Sequence, residues 1–193
     1  MSMELVRRGY DLVSVDAAPD MLSEAAAKCS DGNPLWLCQT MQRLDLNDVV
    51  DAAVCCFDSV NYLPNTAEVR RMMNRVRLFL RPGGLFVFDV RTPEAMAAMH
   101  GQCYYSDSDD AYCTWRPVFS RGCLHTDIDL FVREGQMWRR CEESHLQRAY
   151  TEETLTALLA ECGFRNILRY GELSKRAPTP ADTRWYFTAV RSE

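Results

Sequence analysis

A continuous apolar run, Ala52–Phe57, and a further apolar strand, Leu85–Val90, bracket a helical stripe, and this arrangement constrains the fold more than any other feature. A short β-branched apolar run without alternation reads as a strand buried on both faces, and such strands are parallel. Parallel neighbours need a crossover, and the segment between them supplies one. Val69, Met72, Met73, Val76, Phe79 and Leu80 recur at helical spacing. Asn65 or Thr66 caps this helix, and Arg81-Pro82-Gly83-Gly84 is the expected stop. Arg70, Arg71, Arg75 and Arg77 fall on its solvated side.

Upstream, Leu5, Val6, Arg7, Arg8 and Gly9 read as the end of a helix. Tyr10–Asp16 is a strand, Pro19 opens a short helix to about Cys29, and 30–34 is a loop. Leu35–Gln39 is a second strand. Downstream, Thr92-Pro93 starts a helix to about His100, and the acidic stretch 102–110 reads as a solvated loop. From Tyr112 to about Arg148 the alternation has period two. A turn at Glu134-Gly135 would set Phe131 opposite Trp138, Asp129 opposite Arg140 and Ile128 opposite Cys141, with Asp127 opposite Glu142 as the unfavourable pair. Thr151 caps a last helix that ends at Gly163, and strands follow at 164–173 and 185–190. Strand, helix, strand, strand, helix, strand, then an antiparallel end: one α/β domain over 1–193, with an antiparallel insertion or lid at about 104–149.

Composition bounds the partners. The 193 residues suffice for one full core, with 47% hydrophobic and 25% charged residues. A formal charge of −5 argues against a phosphate-bound nucleic acid. No apolar run approaches the roughly 20 residues that span a bilayer, and the first eight residues lack a signal peptide's apolar centre. The nine cysteines contain no CxxC pair. They suggest neither a disulfide framework nor a zinc site, but small buried hydrophobes in a reducing cytosol. His100, His125 and His145 have no metal-ligand spacing.

Ligands in open α/β sheets sit outside the carboxyl ends of the parallel strands. Asp16 ends such a strand, and a carboxylate there can accept from both hydroxyls of a ribose. Its alternative is to cap the Pro19 helix.

The order of elements resembles the class I S-adenosylmethionine-dependent methyltransferases. Val15-Asp16-Ala17-Ala18-Pro19-Asp20-Met21-Leu22 is similar to the family's ribose-binding stretch, Cys38-Gln39-Thr40-Met41 to the turn beside the adenine, and Cys56-Phe57-Asp58-Ser59-Val60-Asn61-Tyr62-Leu63 to the motif beside the methionine half. Leu80-Arg81-Pro82-Gly83-Gly84-Leu85-Phe86 and Glu161-Cys162-Gly163-Phe164 match the family's helix ends. The resemblance implies a Rossmann-like sheet, mostly parallel with an antiparallel C-terminal pair. It implies S-adenosylmethionine as cofactor, with Asp16, Ala17, Met21, Thr40, Met41, Phe57 and Asp58 as its contacts. Met21 has core packing as its alternative, and Asp58 has capping of the turn before Tyr62. Asn61, Tyr62 and Trp115 are candidates for a small-molecule methyl acceptor, with turn chemistry as the alternative for the first two. Tyr104, Tyr105, Tyr112, Trp115, Phe131 and Trp138 form either a lid or the apolar body of the insertion. His145 is an acid–base candidate, no residue is nominated firmly as base, and no metal or membrane is implied. A nicotinamide enzyme on a related sheet would also need a glycine-rich first turn.

Three departures stand out. The family's first strand and GxGxG loop have no counterpart, and Gly83-Gly84 precedes a strand instead of following one. Thr40 stands where an acid is usual, and Ala18 where a serine cap is frequent, the latter at a cost of about 1 kcal/mol. The first departure predicts a seam: either 11–16 pairs directly with 52–57, or two edges stay unpaired at about 1–3 kcal/mol per buried group. A truncated chain of this kind is expected to express poorly or to dimerise through its open edges. A monodisperse monomer with a sharp melt would count against that. The competing expectation is a non-catalytic fragment or degenerate protein of the same fold. A cytoplasmic location is expected.

Overall fold

The computed structural model describes residues 1–193 except Ser30, Asp31, Asn33 and Leu173. The expected 30–34 loop and the end of the 164–173 strand therefore fall partly outside the described residues. The chain runs α1 (Ser2–Arg7), β1 (Val13–Asp16), α2 (Pro19–Ala27), β2 (Leu35–Cys38), β3 (Val50–Cys55), α3 (Thr66–Phe79), β4 (Leu80–Arg91) and α4 (Pro93–Ala98). Then come β5 (Tyr104–Asp107), β6 (Ala111–Ser120), β7 (Cys123–Glu134), β8 (Met137–Arg148), α5 (Glu152–Glu161), β9 (Phe164–Tyr170) and β10 (Arg184–Arg191).

Three helix starts form as their side chains dictate. The Asn65 carboxamide accepts from the Glu68 amide at 3.0 Å, Thr92 Oγ1 from Ala95 at 3.1 Å and Thr151 Oγ1 from Thr154 at 3.3 Å. Each satisfies an amide that the first helical turn leaves without a partner. Ala18, at the start of α2, makes no such side-chain bond.

The strands form three sheets among the described residues: β1-β2, β3-β4-β10-β9 and β5-β6-β7-β8. β1 with β2 and β3 with β4 are parallel, and β10 is antiparallel to both β4 and β9. The layout is thus mixed, not mostly parallel. Of the two outcomes open at the seam, direct pairing of β1 with β3 does not occur among the described residues.

The core lies on one face of the four-stranded sheet. Phe86 and Phe88 of β4 and Phe187 of β10 are fully buried, and the Phe88 and Phe187 rings stack at 5.0 Å. Val69, Met72, Met73 and Val76 of α3 and Leu155, Leu158 and Leu159 of α5 close over them. The other face is open: Ala52, Val54 and Leu85 are exposed. This corrects the expectation of strands buried on both sides, because an apolar run records the tolerance of two covered faces, and only one is covered here.

The helix stop is also different. α3 ends at Phe79, and Gly83-Gly84 lies inside β4, where the β3–β4 register shifts. A Cβ on Gly84 would sit 2.8 Å from the Arg81 carbonyl oxygen and 3.0 Å from that of Asp51. The glycine serves close backbone approach at that irregularity.

In the antiparallel sheet, 104–107 is a strand and not a loop. Glu134 pairs with Met137, so the two-residue turn is Gly135-Gln136. Gly135 takes φ +67°, the conformation that the first central position of a tight hairpin turn demands. Phe131 therefore faces Arg140, not Trp138; Asp129 faces Glu142, and Cys141 faces Leu130. The cysteines are less buried than expected: Cys162 is buried, but Cys38 and Cys103 are exposed.

Candidate functional site

Two groups of residues gather at the carboxyl ends of the parallel strands, one after β1 and β2, the other after β3. In the first, Asp16 ends β1 and is exposed. Its Oδ1 accepts from the Ala18 amide at 2.9 Å, which turns the chain toward α2 and leaves Oδ2 open. This carboxylate thus closes the turn into α2, whose first turn has no side-chain cap, and still faces solvent. Ala17, Cys38, Gln39, Thr40 and Arg43 line an open pocket of about 270 Å³ beside it. The Gln39 side chain holds the far wall, donating to the Asp45 carbonyl at 3.1 Å and accepting from its amide at 2.9 Å. Met21 is 61% exposed, which removes its core alternative. Met41 packs against the core instead of standing open.

In the second group, Phe57 (φ +61°) and Asp58 (φ +50°) are successive left-handed residues after β3. Neither is glycine, so each costs about 1–3 kcal/mol, and such strain concentrates at functional sites. Phe57 is 74% exposed. Asp58 is buried, and both its oxygens are engaged: Oδ1 by the Arg184 guanidinium at 2.7 Å, Oδ2 by Gln147 at 2.5 Å. Asp89, also buried, accepts from the Asp58 amide at 3.0 Å and from Arg184. Arg91 stands 3.8 Å from Asp58. Two carboxylates and two guanidinium groups thus form a neutral, hydrogen-bonded knot. Burial opposes the Arg184 charge, but the bonds to Asp89 and Asp58 and their negative charge outweigh it and hold its pKa above the ordinary value. Cys55 is no nucleophile: burial chiefly, with Cys56 and Asp89, pushes its thiol up to about 12.

Asn61 is fully buried and bridges two elements, donating to the Arg148 carbonyl at 2.8 Å and accepting from the Arg91 amide at 2.9 Å. Tyr62 is half exposed, with its hydroxyl 3.0 Å from His145 Nδ1. Trp115 lies apart, in β6 between Tyr104 and Ile128. The structure therefore brings Asp58, Asn61 and Tyr62 together and sets Asp16, Ala17 and Thr40 around the pocket. It brings the acid–base candidate His145 to Tyr62 and adds Asp89, Arg184 and Gln147. Of these three additions only Asp89 carried a signal, a carboxylate inside the apolar strand Leu85–Val90, which must find a partner when buried.

The first group sets an exposed carboxylate beside a pocket lined by Ala17, Cys38 and Thr40, a set of acceptor, hydroxyl and apolar groups of the kind a nucleoside takes. A glycine-rich turn suited to an amino-acid moiety is not found among the described residues.

A model of a methyltransferase domain family matches residues 1–84. YqeM of Bacillus subtilis, a provisionally named methyltransferase, is 29% identical over all of this chain and 80% of its own length. A solved S-adenosylmethionine-dependent methyltransferase from Clostridium acetobutylicum is 26% identical, with a TM-score of 0.91 over 100% of this chain and 79% of that one. An amino pentose methyltransferase from Micromonospora echinaspora, solved with S-adenosylmethionine bound, shares 22% identity and the fold, with a TM-score of 0.73 over 94% and 74% of the two chains. No helix among the described residues is long and apolar enough to cross a membrane. Fold and relatives together support a methyltransferase fold, that of the S-adenosylmethionine-dependent enzyme it resembles.

Proposed function

We propose that the chain transfers a methyl group from S-adenosylmethionine to a small-molecule acceptor. The observation that carries this is the exposed Asp16 carboxylate at the carboxyl end of β1, beside the pocket of Ala17, Gln39 and Thr40. In this reading Asp16 Oδ2 binds the ribose, and Ala17, Met21 and Thr40 surround the adenine, with Met41 behind them against the core. Phe57 and Asp58 stand toward the methionine half, Asp58 through the backbone it shapes, since its carboxylate is engaged. The cofactor supplies an electrophilic methyl carbon on a sulfonium. The protein's part is to align an acceptor with it and exclude water, and Tyr62 and the antiparallel sheet from 104 to 148 are placed for that.

Titration calorimetry with S-adenosylmethionine tests the reading. Micromolar binding is expected, and Asp16→Ala should weaken it by about 10- to 100-fold, the worth of one charge-assisted hydrogen bond, while the chain stays folded. A folded chain that binds no cofactor would overturn it. That outcome would support a second reading, a protein with the fold's outline and no cofactor affinity, which one observation favours: the β1 and β3 edges are not joined by any described strand.

A further inference from the structure

Three side chains that the proposed cofactor site does not use form a continuous hydrogen-bonded chain. The Tyr62 hydroxyl lies 3.0 Å from His145 Nδ1, and His145 Nε2 lies 3.1 Å from Glu143 Oε2. The two rings meet edge to face, 5.8 Å apart at 73°. Tyr62 closes the short turn after β3, while His145 and Glu143 are two residues apart on β8 and so share one face of it. Gln147 and Arg148, just beyond them, bind Asp58 and Asn61. Those bonds pin β8 to the turn and fix the distance between Tyr62 and His145 without help from the relay residues themselves.

We infer that Tyr62, His145 and Glu143 are a proton relay serving the methyl acceptor, and that the acceptor atom therefore carries both a lone pair and a dissociable proton, as an alcohol, a phenol or a neutral amine does. The inference rests on the methyl-transfer reading above.

Direction follows from hydrogen-bond chemistry. An ionised carboxylate only accepts, so the bond to Glu143 places the imidazole proton on Nε2. Nδ1 is then bare in the neutral ring and accepts the Tyr62 hydroxyl proton. The phenolic oxygen keeps its lone pairs for another donor, and Tyr62 is half exposed at the strand end where ligands of such sheets lie. The charged groups facing Tyr62 are Asp58, Arg91 and Glu143. Burial, Asp58 and Glu143 raise its pKa and Arg91 only partly offsets them, so Tyr62 stays a phenol and acts by handing a proton on. Cys113 on β6 also lies within the field of Glu143.

The step balances. The acceptor lone pair forms the bond to the methyl carbon, and the carbon–sulfur pair remains on sulfur. The acceptor's proton passes to the Tyr62 oxygen as the Tyr62 proton moves to His145 Nδ1. The positive charge lost at sulfur reappears on an imidazolium paired with Glu143, whose side chain is 64% exposed and opens the proton's way to water.

Nitrogen-resolved histidine NMR on the whole chain tests the relay without turnover. His145 should be the Nε2–H tautomer, and Tyr62→Phe should shift its Nδ1 resonance. An Nδ1–H tautomer, or no response to Tyr62→Phe, overturns the relay. Turnover supplies the readout that a merely structural bond would not move. With S-adenosylmethionine and a panel of phenol, ethanolamine and dimethyl sulfide, only the first two should be methylated. Tyr62→Phe and Glu143→Gln should lower kcat by about 100-fold with cofactor affinity unchanged. A wild-type chain that does not bind S-adenosylmethionine overturns the methyl-transfer reading and the relay with it. A chain that binds it but methylates none of the panel, methylates dimethyl sulfide, or ignores both substitutions overturns the relay alone.

Discussion

β1 and β4 are both apolar strands in parallel ladders, yet they differ in nearly every energetic respect. β1 spans Val13–Asp16, pairs on one edge only, and holds no buried residue. β4 spans Leu80–Arg91, pairs on both edges, and puts Phe86, Phe88 and Val90 into the core. The contrast extends to their surroundings. Among the described residues before Met41 only Pro34 is buried, and neither α1 nor α2 contributes a buried side chain. Apolar character alone therefore does not make a strand stable. It contributes when a neighbour takes each edge and a helix covers the face, as α3 and α5 do for β4 and β10. The side of the molecule that carries the exposed Asp16 and the pocket is the side with least burial, and low local stability of this kind is common around ligand sites.

This contrast can be broken at several points. Phe187→Ala should cost about 3–5 kcal/mol in a denaturant melt, the usual range for emptying a buried aromatic site; a loss below about 1 kcal/mol would mean that the stacked Phe88–Phe187 pair is not the core it looks to be. Arg184→Ala should cost nearly as much, about 3 kcal/mol, because it strands the Asp58 and Asp89 carboxylates in a buried setting. A restored melt in the Asp89→Asn background would sharpen the point by showing that the unpaired charge, not the lost side chain, carries the cost.

The loop before β10 should respond to acid. Asp182 is buried and binds Arg176, the Thr179 amide and hydroxyl, and the Glu172 amide. The Arg176 bond first, then those backbone and hydroxyl donors, hold its carboxyl well below the usual carboxylate range. Its stabilising effect is then complete above the unfolded value of about 3.9 and fades as pH falls through the lower folded value. Thermal melts of the wild type and Asp182→Asn should differ by a constant amount above about pH 4 and draw together steadily as pH falls below it; a difference that stays constant down to the lowest pH at which the chain remains folded would refute the assignment.

The smallest effect belongs to the weak side of the comparison. Val15→Ala should change stability by about 0.5 kcal/mol or less, and the amides of 13–16 and 35–38 should exchange with solvent faster than those of 85–90. Equal protection of the two strand pairs would erase the distinction between them.

What was legible beforehand was local. Asn65, Thr92 and Thr151 mark helix starts because their oxygens can reach an amide three residues on, whatever the rest of the chain does. The stripe Val69, Met72, Met73 and Val76 marks the buried side of α3 for the same kind of reason. Where the reading missed, a non-local choice decided. The hairpin slipped by one residue because only Gly135 accommodates the positive φ of the tight turn. The exposed face of β3 was invisible because cover comes from other elements.

The same division runs through the candidate site. The sequence by itself determined that a carboxylate would close β1 and that polar residues would follow β3, since strand ends and turns are written in short-range chemistry. Only the tertiary structure decided their partners. Asp58 meets Arg184 from 126 residues away, and Tyr62 meets His145 from 83. Such pairings depend on how β8 and β10 pack across the ends of β3 and β4, and no spacing along the chain encodes a distance between strands brought together by folding.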